Sequence, residues 1–290
     1  MKKIFTAALL SWVLLWPVNC GNHESLFPES NPPELSQEDN FGAKIAVIGD
    51  TRSGGDNFKN LENDIADIQP RPDLVAHTGD IINDPGSGME WEGFKKDASL
   101  LLDHFPFYPV PGNHDVEDQA SQELYQYEFP APVNNLYYEL ALGDVLLIFL
   151  DTELPGEKEK IINQQFDWLK NLLEQEGPNF KYRLAFLHRP LFPSAEHQGQ
   201  SLDKYPELRD RLHQLFVTSN VQLVFLGHEH IYDRRQVDTV TYVTSGGGGA
   251  PLPDDPRAFY EYVFVEETGS GLQGYCFSVD GDLKDQFTIP

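Results

Sequence analysis

The sequence is poor in sulfur and in positive charge. It has two cysteines and two methionines in 290 residues, and 21 basic side chains against 46 acidic ones, a formal net charge of −25. Such an envelope repels polyanions, so a broad nucleic-acid-binding face is excluded and no nucleic-acid polymer is expected as a partner. Cys20 and Cys276 are too few for a disulfide scaffold, so the fold has to be stable through its core. The apolar run Ile4–Val18 is too short for a comfortable bilayer span. Internal repeats are absent, and the glycine run 246–249 lacks the Lys-Ser/Thr that would make it a nucleotide P-loop. What is present, 40% hydrophobic and 23% charged, suits an ordinary globular chain with ample core material.

The N-terminus reads as an address. Lys2 and Lys3 precede the Ile4–Val18 run, which ends at Asn19-Cys20, so residues 1–19 read as an export signal. Cys20 stands where a bacterial lipoprotein signal has its lipidated cysteine, and the segment resembles that class, although Asn19 is larger than the residue usual there. The expectation is an exported bacterial cell-envelope protein, held to the membrane by a lipid on Cys20. The alternative is plain secretion or a periplasmic protein. Loss of residues 1–19 removes two lysines and no acids, changing the charge from −25 to −27. Residues 20–41, with Pro28, Pro32 and Pro33 among Ser, Glu and Asn, read as a flexible tether, which leaves 42–290 as one domain.

Within that domain β-rich runs and helical spacings alternate. Strands are predicted over 44–48, 73–76, 107–110, 183–187 and 221–226, and helices over 57–68, 90–102, 157–176 and 206–218. A hairpin turns at Gly143-Asp144, and only strand-like runs, among them 241–243, 260–265, 275–279 and 287–289, follow residue 226. The alternation implies an α/β protein, and the hairpin with the terminal strands adds a second sheet. The expected fold is a two-sheet β-sandwich flanked by helices.

Polar residues collect where these strands end. Asp50 follows the first, Asp80 the second and Asn113 the third; His188 closes a later one, and His228 and His230 follow another. Ligands of α/β proteins gather beyond the carboxyl ends of strands, because loops converge there. Singly, each feature has an ordinary explanation as a turn or a satisfied histidine. Together, five strands deliver metal-ligand residue types to one edge. In order, Gly49-Asp50, Gly79-Asp80, Gly112-Asn113-His114-Asp115, His188 and Gly227-His228-Glu229-His230 resemble the calcineurin-like metallophosphoesterase family. Leu150-Asp151-Thr152, His188-Arg189-Pro190 and the Ser245–Gly249 loop support the resemblance, which spans about residues 44 to 250.

The resemblance implies a four-layer αββα fold and metal-dependent hydrolysis of phosphoesters by a hydroxide activated between two divalent ions, with Mn, Fe or Zn as the expected metals. It implies that Asp80 bridges both ions, that Asp50 and His230 complete one site, and that Asn113, His188 and His228 complete the other. His114 corresponds to the histidine that protonates the leaving oxygen, a step that contributes roughly 10²–10⁴-fold. Asn83 stands where many relatives carry an aspartate that orients this histidine. Arg52 stands where many carry a further metal-ligating histidine; a guanidinium has no lone pair and cannot replace it. Arg52 is read instead as a grip on the substrate phosphate, the alternative being a pair with Asp56 or Asp84. His77 and His104 read as structural and His197 and His213 as solvent-facing, although His197 lies in a loop, 194–204, that could overhang the site. The rival class is a non-catalytic metal- or ligand-binding envelope protein with a degenerate site, favoured by Arg52 and Asn83 alone.

Overall fold

The computed structural model describes residues 42–129 and 136–290; the export signal, the tether and Cys20 lie outside the described residues. The chain begins β1 (Lys44–Ile48), α1 (Gly55–Asp67), β2 (Leu74–His77), α2 (Gly88–Asp97), α3 (Ser99–His104), β3 (Phe107–Pro109) and α4 (Gln119–Glu128). It continues β4 (Tyr138–Leu142), β5 (Val145–Phe149), α5 (Asn163–Gln175), β6 (Tyr182–Leu187), α6 (Pro206–Thr218) and β7 (Leu223–Leu226). Five strands end it: β8 (Tyr232–Val237), β9 (Val240–Ser245), β10 (Glu261–Thr268), β11 (Gly271–Ser278) and β12 (Leu283–Ile289).

Two six-stranded mixed sheets result, ordered β12-β11-β10-β1-β2-β3 and β4-β5-β6-β7-β9-β8. Strands β1, β2 and β3 run parallel, as do β5, β6, β7 and β9. Alternation along each strand builds three apolar layers. On β1, Ile45 and Val47 face the space between the sheets, whereas Ala46 and Ile48 face α1–α4. On β6, Leu184 and Phe186 point inward and Ala185 and Leu187 toward α5 and α6. The inner layer carries a stack of Tyr138, Phe149, Phe186 and Phe225, with successive ring centroids 4.6, 4.8 and 5.5 Å apart. The order helices, sheet, sheet, helices is the expected four-layer sandwich.

Several elements differ from expectation, each for a local reason. The helix expected over 90–102 breaks at Ala98, because the buried Glu62 carboxylate of α1 accepts from the amides of Leu100 (2.7 Å) and Leu101 (3.2 Å) and starts a new helix there. The helix expected from 157 begins at Asn163, after a loop in which Glu159 takes a left-handed conformation (φ 62°). Helix α4 was not foreseen; Asp118 and Ser121 form a reciprocal capping box at its start. Strand β8 lies in the stretch expected to hold only strand-like runs but was not singled out there, since Asp233, Arg234 and Arg235 give it no apolar pattern at the edge of its sheet. His213, expected in solvent, is buried between the Tyr242 hydroxyl (2.7 Å) and Asp238 (3.0 Å).

Candidate metal centre

The parallel strands bring their carboxyl ends to one place. Asp50 and Asp80 sit just past β1 and β2, His188 just past β6, and His228 and His230 past β7. Asp50 (φ 55°), Asp80 (φ 59°) and His228 (φ 70°) all adopt left-handed backbone. A non-glycine residue there costs on the order of 1 kcal/mol, and such strain concentrates where side chains must be aimed. The glycines before the ligands allow the loops to touch. A Cβ on Gly112 would collide with the backbone and carboxylate of Asp80, and one on Gly227 would lie 2.5 Å from Asp50 Oδ2.

Five of the six expected ligands meet through their donor atoms, and the sixth, His228, packs its ring beside them. Donor atoms of Asp50, Asp80 and His230 lie within 4.8 Å of one another. His230 Nε2 is 3.5 Å from Asp50 Oδ1. On the other side, His188 Nε2 is 3.3 Å from Asp80 Oδ1 and 3.1 Å from Asn113 Oδ1. The His228 ring packs edge-on to His188 at 4.9 Å, while its main-chain N–H donates to Asp50. Asp50 and Asp80 are buried almost completely, at 0% and 1% exposure. Two buried carboxylates this close need positive charge nearby.

The hydrogen bonds behind the ligands show what kind of charge fits. His188 Nδ1 lies 2.9 Å from the Thr78 carbonyl and His230 Nδ1 2.7 Å from that of Pro251. Each Nδ1–H donates outward, which turns Nε2 toward carboxylate or amide oxygens. Lone pairs facing lone pairs repel unless a proton or cation lies between them. Carboxylate, amide oxygen and imidazole suit divalent transition ions. The titration directions agree. Burial opposes the charged form of His230, but the Asp50 carboxylate outweighs it and raises the imidazole above its usual value. Burial likewise opposes ionisation of Asp80, yet His188, His114 and Arg52 together hold it below the usual carboxylate range. His228 lies well below its ordinary value through burial, reinforced by His188 and Arg189.

The remaining candidates stand at the mouth. Arg52 reaches the site, with Nε 3.3 Å from Asp80 Oδ2 and Nη1 3.3 Å from Asn83 Oδ1, so it pairs with neither Asp56 nor Asp84 in this arrangement. Asn83 orients His114 differently from expectation: its main-chain carbonyl, not its amide, lies 2.9 Å from His114 Nδ1. The Asn83 side chain serves Arg52 and Ser53 instead. His197 stacks on His228 with centroids 4.2 Å apart, so its loop does overhang the cluster. His77 is structural, between the Thr51 hydroxyl and the Gly79 amide, and burial holds its pKa down at about 3.

Four acidic residues carry roles that went unassigned in the sequence. Asp115 accepts from the amides of Asp80, Ile81, Ile82 and Gly112 at 2.8–3.1 Å and so fixes the loop that carries Asp80. Glu229 accepts from the amides of Ser194 (2.8 Å) and Ala195 (2.7 Å), anchoring the overhanging loop. Glu153 pairs with Arg189 at 2.6 Å behind His228. Glu261 accepts from Ser245 Oγ (2.9 Å) and Gly247 N (3.2 Å), holding the glycine run against Asp50. Asp115 and Glu229 lie inside quoted motifs, a signal that was available; Glu153 and Glu261 had none.

A family model for calcineurin-like phosphoesterases matches residues 43–232. A probable glycerophosphodiester phosphodiesterase, GpdQ, of Arcobacter nitrofigilis is 28% identical over 208 residues, 71% of this chain and 74% of that protein. Acid phosphatase type 7 of Mus musculus is 26% identical over 231 residues, 74% of this chain and 52% of that protein. The purple acid phosphatase PPD1 of yellow lupin shares the fold, with a TM-score of 0.72 at 20% identity, over 85% of this chain and 53% of that one. This chain therefore spans about half the length of the latter two.

Proposed function

The chain belongs to the calcineurin-like phosphoesterase family, and from that premise we propose how its residues divide the work of phosphoester hydrolysis. It is a metallophosphoesterase, and the observation that carries the reading is the buried convergence of Asp50, Asp80 and His230 within 4.8 Å, with His188 and Asn113 on the far side of Asp80. Asp50, Asp80 and His230 would hold one divalent cation; Asp80, Asn113, His188 and His228 would hold the second. When bound, two such cations supply positive charge to the phosphoryl oxygens and make water a competent nucleophile at neutral pH.

The protein's own groups do the rest. Asp115 and the left-handed turns at Asp50 and Asp80 aim the carboxylates before substrate arrives. His114 keeps its Nδ1–H on the Asn83 carbonyl, which leaves Nε2 to carry a proton to the leaving oxygen. Losing the expected carboxylate partner removes charge stabilisation of an imidazolium, but the carbonyl dipole retains its orientation. Arg52 already has one N–H directed at Asp80 and another at Asn83. Cations held on Asp80 would crowd the Arg52 guanidinium, for which two phosphate oxygens would be the better partner. The overhanging loop lays His197 on His228 at the edge of the cluster.

The N-terminal signal pattern and Cys20 support export to a bacterial cell envelope and anchoring through a lipid. Among the described residues no helix is long and apolar enough to cross a membrane. Cys20→Ser should change processing and release the protein from the membrane fraction; identical processing and fractionation of both forms would mean plain secretion.

The catalytic reading is tested with p-nitrophenyl phosphate and bis(p-nitrophenyl) phosphate in the presence of Mn, Fe or Zn. Asp80→Asn should reduce hydrolysis to the background rate while circular dichroism stays unchanged. Wild-type rates from this variant would overturn it.

A further inference from the structure

A buried ion pair that hydrolysis does not use lies directly behind His228. Arg189 Nε donates to Glu153 Oε1 at 2.6 Å and Nη2 to Oε2 at 3.1 Å. The Thr152 hydroxyl also donates to Glu153 Oε1 at 2.9 Å. Glu153 is 0% exposed and Arg189 8%, so the pair is shut away from water. The remaining edge of the guanidinium faces two acceptors. Nη1 donates to the Gln200 carbonyl at 2.5 Å and lies 3.1 Å from His228 Nε2.

The last contact has only one possible direction. A guanidinium keeps all its protons in a folded protein and has no lone pair to offer. Nη1–H therefore donates and His228 Nε2 accepts. A neutral imidazole that accepts at Nε2 carries its hydrogen on Nδ1. His188 and His230 also keep Nδ1–H, on the carbonyls of Thr78 and Pro251, but their Nε2 atoms face oxygens of Asp80, Asn113 and Asp50 instead of an N–H donor. Two histidines of the cluster are prepared as ligands, and the third is occupied.

We propose that Arg189, braced by Glu153, is a positioning residue that holds His228 in its Nδ1–H tautomer in the metal-free protein, so that a cation gains His228 only by breaking the Arg189–His228 hydrogen bond. The inference rests on the two-cation reading of the cluster. It holds for either ring nitrogen. Coordination through Nε2 removes the acceptor, and coordination through Nδ1 moves the hydrogen to Nε2, where it would meet the Arg189 N–H. Affinity for the second cation is thereby set by a pair that touches neither substrate nor metal. The first cation, on Asp50, Asp80 and His230, is unaffected, because those donors have no contact with Arg189.

Two measurements test this. The first is the Mn²⁺ binding isotherm of wild-type protein and of the double variant Arg189→Met/Glu153→Gln, which removes both charges together and leaves no buried charge uncompensated. The weaker of the two sites should tighten by about tenfold or more while the stronger one stays unchanged. A folded double variant whose weaker site is unchanged or weaker still would overturn the proposal. The second needs no variant. Long-range ¹⁵N–¹H correlation spectra of metal-free wild-type protein should show His228 protonated on Nδ1 and bare on Nε2, and a His228 protonated on Nε2 would overturn the assignment. Wild-type protein that binds no Mn²⁺ would refute the two-cation reading instead, and the tautomer would still decide the role of Arg189.

Discussion

The two halves of the metal centre are built from different materials. The half made of Asp50, Asp80 and His230 has two buried carboxylates and a histidine whose Nδ1–H rests on a carbonyl, so it is anionic and its donors point inward. The half completed by Asn113, His188 and His228 shares Asp80 but adds only neutral donors, and a guanidinium presses on one of them. Charge and preparation both favour a cation in the first half. The comparison teaches that matching motifs do not make equal sites: His228 and His230 stand two residues apart in one motif, yet Nε2 of the first meets a guanidinium and Nε2 of the second a carboxylate.

The largest effect that could break this comparison lies in the two histidines themselves. His230→Ala should abolish tight binding of the first Mn²⁺, whereas His228→Ala should weaken only the second and by a smaller factor. Equilibrium dialysis with Mn²⁺ on both variants checks this, and equal losses would erase the distinction between the halves. The next effect concerns Arg52, which borders the anionic half. Arg52→Met should lower kcat/KM by about tenfold, about 1.4 kcal/mol of transition-state stabilisation, with metal content unchanged. Steady-state kinetics beside metal analysis separates a phosphate grip from a structural contact with Asp80.

The smallest effect sharpens the picture behind Asp50. Burial pushes the Glu261 carboxyl up from about 4.5 to about 8, so the fold retains a proton that the unfolded chain releases. Stability from this group is therefore complete below about pH 4.5, falls as pH rises toward about 8, and changes no further above that. Glu261→Gln keeps the neutral shape and should lack this fall. The gap between the urea midpoints of the two proteins should shift in favour of the variant across that window, and parallel midpoints would show that Glu261 is ionised in the fold.

Much of the architecture was legible because it repeats short patterns. The continuous apolar runs Ile45 to Ile48 and Leu184 to Leu187 mark strands covered on both faces, and glycine-flanked Asp50, Asp80, Asn113 and His228 mark their ends. Other features depend on partners distant in sequence. Glu62 splits a continuous helical pattern from more than thirty positions away, and Glu153 finds Arg189 across the sheet. Strand β8 carries edge charges that satisfy no strand pattern. The orientation of His114 depends on a backbone carbonyl, and side-chain identity at position 83 says nothing about a carbonyl. His213 looked like a surface residue on α6 until Tyr242 and Asp238 supplied partners for both of its nitrogens.

The central claim is that Asp80 joins two cation sites. Anomalous diffraction from crystals grown with Mn²⁺ tests it most directly. The account predicts two peaks flanking the Asp80 carboxylate, one beside Asp50 and His230 and the other beside Asn113 and His188. A single peak, or two peaks of which neither touches Asp80, would contradict it.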